Sequence, residues 1–257
     1  MFAHTHTHLF LYKLKTAVTL AEVLIAIGII GVIAAMTISP LLQKQQEKTT
    51  IVALKKAYST ISNAYTLAVQ ENGTPDAWQQ SENTSKGAVE AILNNLAPYL
   101  NVTKNCGINI GCWPNIVYKT INNNSFANID SGSIYAKAQL SDGSIIHILN
   151  DSLPSINCSK NYGSTQFLAN SCALYRVDIN GFEGPNIVGK DLFTFYLTKY
   201  GVVPEGTSKD THFPFSICED TASAGQGRGC AAWVIYNENM DYLNCSNLNW
   251  TTKRQCD

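Results

Sequence analysis

The chain has 257 residues, of which 45% are hydrophobic and only 14% charged, with a formal net charge of -1. This length supports a core that folds without help. The charged share lies well below the roughly 25% of ordinary soluble domains, which excludes a disordered or coiled-coil chain and points to a membrane segment or a polar, uncharged exterior. The basic residues are scattered rather than massed into the stripe that nucleic-acid binders carry, so nucleic acid is not an expected partner.

Residues 1–17 (MFAHTHTHLFLYKLKTA) read as a polar leader with Lys13 and Lys15 near its end. Alternating His4, His6 and His8 would suit a metal on an extended chain, but the leader precedes an expected cut and would be discarded. Residues 18–39 (VTLAEVLIAIGIIGVIAAMTIS) carry Glu22 as their sole charge. About 22 residues at about 1.5 Å each span a bilayer core of about 30 Å. The run is longer than the apolar stretch of a cleaved secretory signal, about 7–15 residues, and contains an acid. Pro40 marks a bend or a restart rather than a stop, because helical periodicity returns after it. Ile51, Leu54, Tyr58, Ile61, Tyr65 and Ala68 form one stripe, and Asn72-Gly73 ends the helix. One long helix is expected, its first half in lipid and its second half on a folded domain.

Glu22 is the anomaly of this helix. A carboxylate in hydrocarbon costs about 2.5–3.5 kcal/mol on insertion scales and is a functional candidate by default. A cut after Ala17 would free the amine of Val18 one helical turn away, on the same chain or on a neighbour. Lys13, Lys15, the small Ala17 and the following VTLAEVLIAIGIIGVIAAMTI resemble the processing and methylation segment of type IV prepilins and type II secretion pseudopilins. The resemblance covers residues 13–72. It implies that Ala17 precedes the prepilin-peptidase cut, that Val18 becomes the N-methylated terminus, and that Glu22 neutralises a neighbouring subunit's amine during assembly. Two departures stand out: Ala17 where Gly is commoner, and Val18 where Phe or Met is. Gly28, Gly31, Ala34 and Ala35 would allow neighbouring helices to approach closely. The resemblance also implies a long helix packed on an antiparallel sheet, and as partners a prepilin peptidase/methyltransferase, other pilin or pseudopilin subunits and the membrane.

Beyond Gly73 the composition turns to Asn, Ser, Thr and Gly with short apolar runs. A second helix is expected from about residue 85 to Pro98. Strands are expected at 133–140 and 144–149, joined by the hairpin turn Ser141-Asp142-Gly143, and at 173–179, 192–197 and 233–236. Residues 204–206 and 222–229 read as loops. The fold class is therefore α+β, divided as leader 1–17, membrane half-helix 18–39, amphipathic half-helix 40–72 and extracytoplasmic domain 73–257.

All eight cysteines (Cys106, Cys112, Cys158, Cys172, Cys218, Cys230, Cys245 and Cys256) lie beyond residue 100. An even set confined to one region reads as disulfides formed outside the cytoplasm, and no pair has the close spacing of a zinc site. Eight cysteines admit about 105 connectivities; sequential neighbours, each stapling a short loop, are the simplest expectation. Their position places the C-terminal domain on the oxidising side of a single-pass protein.

Residues 178–191 (DINGFEGPNIVGKD) set Asp178, Asn180, Asn186 and Asp191 on a Gly-rich turn. These hard oxygens, with backbone carbonyls, would suit calcium, and some pseudopilins hold calcium in a loop of the sheet domain. Against this, the twelfth position of the loop is Gly189 rather than a bidentate Glu, and Asn-Gly and Gly-Pro-Asn are turn formers in their own right. Enzymatic motifs are missing: no G-x-S-x-G, P-loop or H-E-x-x-H occurs. His147, in an apolar strand, reads as a satisfied or half-exposed histidine and His212 as a packing residue. Trp78, Trp113, Trp233 and Trp250, with twelve tyrosines, read as core or as an adhesive face, core being the default.

The expected function is that of a prepilin-like subunit of a type IV pilus or type II secretion pseudopilus, leaving the cytoplasmic membrane for the filament and performing no catalysis. The alternative is a membrane-tethered minor pilin or adhesin-type binding module that does not itself polymerise.

Overall fold

A computed structural model describes residues 19–150, 154–219 and 226–257. The chain divides into two compact units that meet between Gln45 and Gln46. Helix α1 (Leu20–Asn72) runs unbroken through Pro40. In the first unit the helix is apolar and its side chains are exposed; Leu20, Ile25, Ile30 and Met36 are each more than 60% accessible. This segment is long and apolar enough to cross a membrane. Pro40 has no N–H for the Met36 carbonyl, and just before it Thr37 Oγ1 donates to the Ile33 carbonyl at 3.0 Å.

The second unit is α+β. Six strands, β1 (Val102–Gly107), β2 (Tyr135–Leu140), β3 (Ile145–Leu149), β4 (Ser171–Asp178), β5 (Leu192–Thr198) and β6 (Gly201–Pro204), form one sheet in sequence order, every neighbour antiparallel. Consecutive strands thus pair directly. The β2–β3 turn is Ser141–Gly143, with Gly143 at φ 88° and Asp142 Oδ1 accepting from the N–H and hydroxyl of Ser144. Only β4 and β5 are buried along their whole length.

Alternation sends the two sets of side chains to opposite faces. Ala136, Ala138, Ile146, Ile148, Tyr175, Val177, Phe193 and Phe195 share one core with Leu54, Ile61, Ala64, Tyr65 and Ala68 of α1. Helix α2 (Ser85–Leu96) joins this core through Ala88, Val89, Ile92, Leu93 and Leu96, and Thr84 caps it by accepting from Gly87 N–H at 3.1 Å. On the other face, Ile145 and Leu192 pack under Cys112, Trp113, Tyr118, Ile129 and Val188, while Leu174 and Tyr196 pack under Tyr162 and Leu168.

Several elements differ from expectation, among them β6, which was not anticipated and takes in Pro204 from the expected loop at 204–206. Residues 233–236 are not a strand but part of helix α4 (Ala231–Asn237). A short apolar run reads equally as strand or buried helix, and here Ala231 and Ala232 favour the helix, which ends on Glu238 in a left-handed conformation, φ 56°. Strand β1 escaped notice because it is a polar edge strand with irregular register. Residues 226–229, expected as loop, form the short strand β7 (Gln226–Gly229) outside the sheet, following the five-residue helix α3 (Phe215–Glu219).

Candidate functional site

Thr19 precedes α1 and Glu22 follows three residues on, the spacing of a capping box. The N–H and hydroxyl of Thr19 donate to Glu22 Oε2 at 2.7 and 2.8 Å, and Glu22 N–H returns a bond to Thr19 Oγ1 at 3.3 Å. The carboxylate is thereby held at the helix start, where the peptide dipoles favour negative charge. Both bonds to the carboxylate engage Oε2, and among the described residues Oε1 is open to a second partner. Ala17 and Val18, the expected processing pair, lie outside the described residues. Gly28 and Gly31 have no atoms near the position a Cβ would take, and Ala34 and Ala35 follow at spacings of three and four from Gly31. Together they make a shallow strip on an exposed apolar helix.

The cysteines pair as Cys106–Cys112, Cys158–Cys172, Cys218–Cys230 and Cys245–Cys256, and none is free. A disulfide framework is therefore present in the second unit, and no thiolate is available as a nucleophile.

The loop after β4 brings Asp178 and Asp191 into one neighbourhood. Asp178 Oδ1 accepts from the N–H groups of Asn180 and Gly181, and its Oδ2 accepts from the Tyr118 hydroxyl at 2.6 Å. Asp191 accepts from Asn186 and Ile187 N–H at 2.6 and 2.7 Å. Burial, and the nearby charge of Asp191, push the Asp178 carboxyl up to about 8; burial also raises Asp191. Both residues thus organise turns, as Asp does on its own. Asn180 Oδ1 and Asn186 Oδ1 are buried without a hydrogen-bond partner. The loop thus carries two buried carboxyls and two amide oxygens without partners, hard oxygens of the kind calcium takes.

One of the two histidine expectations holds and the other does not. His212 packs as expected, stacked on Tyr162 and edge-on to Phe213. His147 is neither satisfied nor half-exposed: it is fully buried, and neither ring nitrogen has a partner. Lys137, His147 and Arg176 stand side by side in register on β2, β3 and β4, all at most 5% exposed. This buried basic row escaped sequence reading because its members are 10 and 29 residues apart along the chain, and only strand register unites them.

Residues 40–216 match the model of a family described as a family of unknown function, DUF6613. No curated protein matches the chain, and no solved structure does.

Proposed function

The chain belongs to this family of unknown function, DUF6613, and we propose that it is a prepilin-like structural subunit of a type IV pilus or type II secretion pseudopilus. It is held in the cytoplasmic membrane by the first half of α1, processed after Ala17, N-methylated at Val18 and assembled through its N-terminal helix. The observation that carries this reading is the combination of a lone carboxylate, anchored at the very start of an exposed apolar helix, with a disulfide-stapled body.

The physical logic is that of an intramembrane charge awaiting its counter-ion. In lipid Glu22 is costly unless paired. The capping contacts with Thr19 occupy one oxygen, and the new amine of Val18 on an adjacent subunit would take the other. That pairing fixes the axial register of one helix against the next. Gly28, Gly31, Ala34 and Ala35 then let the helices close, exchanging lipid contact for helix packing.

The same reading includes a calcium ion held by Asp178 and Asp191, with the amide oxygens of Asn180 and Asn186. Bound there, calcium would neutralise two buried carboxylates and bind together the ends of the loop between β4 and β5.

Mass spectrometry of the unreduced protein from its native membrane tests processing: a chain beginning at N-methylated Val18 is expected, and one retaining residues 1–17 would overturn it. For assembly, Glu22→Ala should abolish filament incorporation while membrane insertion stays intact. Normal filament yield would remove the register role. A processed wild-type chain that never enters filaments would instead identify a tethered binding module.

A further inference from the structure

Part of the second face of the sheet is closed by a layer made from residues 108–132. Its anchor is Trp113, 2% exposed, whose indole N–H donates to the Ile146 carbonyl at 3.0 Å. The Asp130 carboxylate gathers the N–H groups of Gly111 and Trp113, and Lys137 Nζ reaches up from β2 to the carbonyls of Asp130 and Gly132 at 2.7 and 3.1 Å. Tyr118 ties the far side to Asp178 on β4. Beneath this layer lies His147, edge-on to Trp113 with ring centroids 5.2 Å apart and tilted against Tyr135 at 4.8 Å.

From this placement we infer that His147 is an acid-operated latch: protonation of its buried imidazole releases the 108–132 layer from the sheet while the helix-covered face stays folded. A charged imidazole has nowhere to go within the closed structure. Its two N–H groups would lack acceptors, and its neighbours in register are two further bases, Lys137 and Arg176. The groups that face it are Tyr135 and Lys137 from β2, Arg176 from β4, and Trp113 with the Asp130-bound turn from the layer; Asp178 lies one position along the same face of β4. The Asp130 oxygens are directed to the layer's own N–H groups. Aromatic edges and faces attract a cation only weakly, so Trp113 and Tyr135 do not replace a lost water shell. Opening the layer hydrates the ring and relieves the repulsion, at the expense of the packing around Trp113.

Burial, and after it the charges of Arg176 and Lys137, hold the His147 imidazole well below the ordinary histidine range. The closed form therefore binds fewer protons than the open form, whose ring titrates near 6.5. Closure is unaffected above that pH and weakens as pH falls below it, the opening equilibrium growing by a factor approaching ten per pH unit.

Hydrogen exchange of the full chain between pH 7 and pH 5, corrected for intrinsic rates, tests the latch. Ordinary carboxylates titrate lower, at about 3.9–4.3, and Asp178, whose carboxyl burial raises, favours closure as pH falls and so opposes rather than mimics the loss. Protection in residues 108–130 should fall over this range, while peptides from residues 46–72 and from α2 keep theirs, and His147→Leu should flatten or reverse the response. A wild-type layer with constant protection, or a His147→Leu layer with the same slope, would overturn the proposal. Should that variant not fold, the wild-type imidazole resonance followed by NMR decides. Proton uptake together with loss of the packed Trp113 signal is expected, whereas a ring that titrates while Trp113 stays packed would refute the latch.

Discussion

Individual residues in this molecule are chosen for charges and backbone shapes that the core can barely tolerate. Glu205, 1% exposed, accepts from Arg228 Nη2 at 2.6 Å and from Gly229 N–H at 3.1 Å. Next to it Gly206, at φ 93°, lies so close to the Gly229 carbonyl that a Cβ would sit 1.8 Å from that oxygen. The buried pair and the glycines together seat β7 against the end of β6. Removing one partner of such a pair leaves an uncompensated buried charge, which costs about 3–5 kcal/mol. Arg228→Met should therefore lower unfolding free energy by about 3 kcal/mol in chemical denaturation, and the additional Glu205→Gln replacement should recover part of that loss. The same reasoning separates Glu22 from these acids. Its local cap satisfies one oxygen, and the proposed assembly would supply a partner for the other.

At the scale of elements, the loop between β4 and β5 is the place where turn chemistry and ligand chemistry overlap. The Asx-type bonds of Asp178 and Asp191 explain the turn without any metal, yet they do not explain two buried amide oxygens without partners. A cation that binds the folded loop and not the unfolded chain stabilises by mass action, about 2.7 kcal/mol at a hundredfold excess over its dissociation constant. Thermal melts in calcium should accordingly lie several degrees above melts in chelator, and Asp191→Asn should remove most of the difference. Identical melting temperatures would sink the calcium site and leave the turn as the whole account of these four residues.

On the scale of the whole molecule, the second unit closes four covalent loops with sequence separations of 6, 14, 12 and 11 residues. Short loops remove modest entropy from the unfolded chain, about 3 kcal/mol for a closed loop near 15 residues. Cys158→Ser with Cys172→Ser should thus cost about 3 kcal/mol in denaturant unfolding while the cooperative transition persists, since the large core of α1, α2 and the sheet does not depend on that link. What the sequence alone determined follows from local rules: a helix whose apolar run and stripe cover Leu20–Asn72, a second helix ahead of Pro98, the β2–β3 hairpin and the use of the cysteines in disulfides. Each of these rests on neighbours along the chain, through periodicity, turn chemistry or spacing. Tertiary structure alone decided that residues 233–236 coil rather than extend, that the polar segment 102–107 becomes an edge strand, and that Lys137, His147 and Arg176 meet under one layer. Those outcomes depend on which surfaces bury one another and on strand register, and both are set by contacts between residues far apart in the chain.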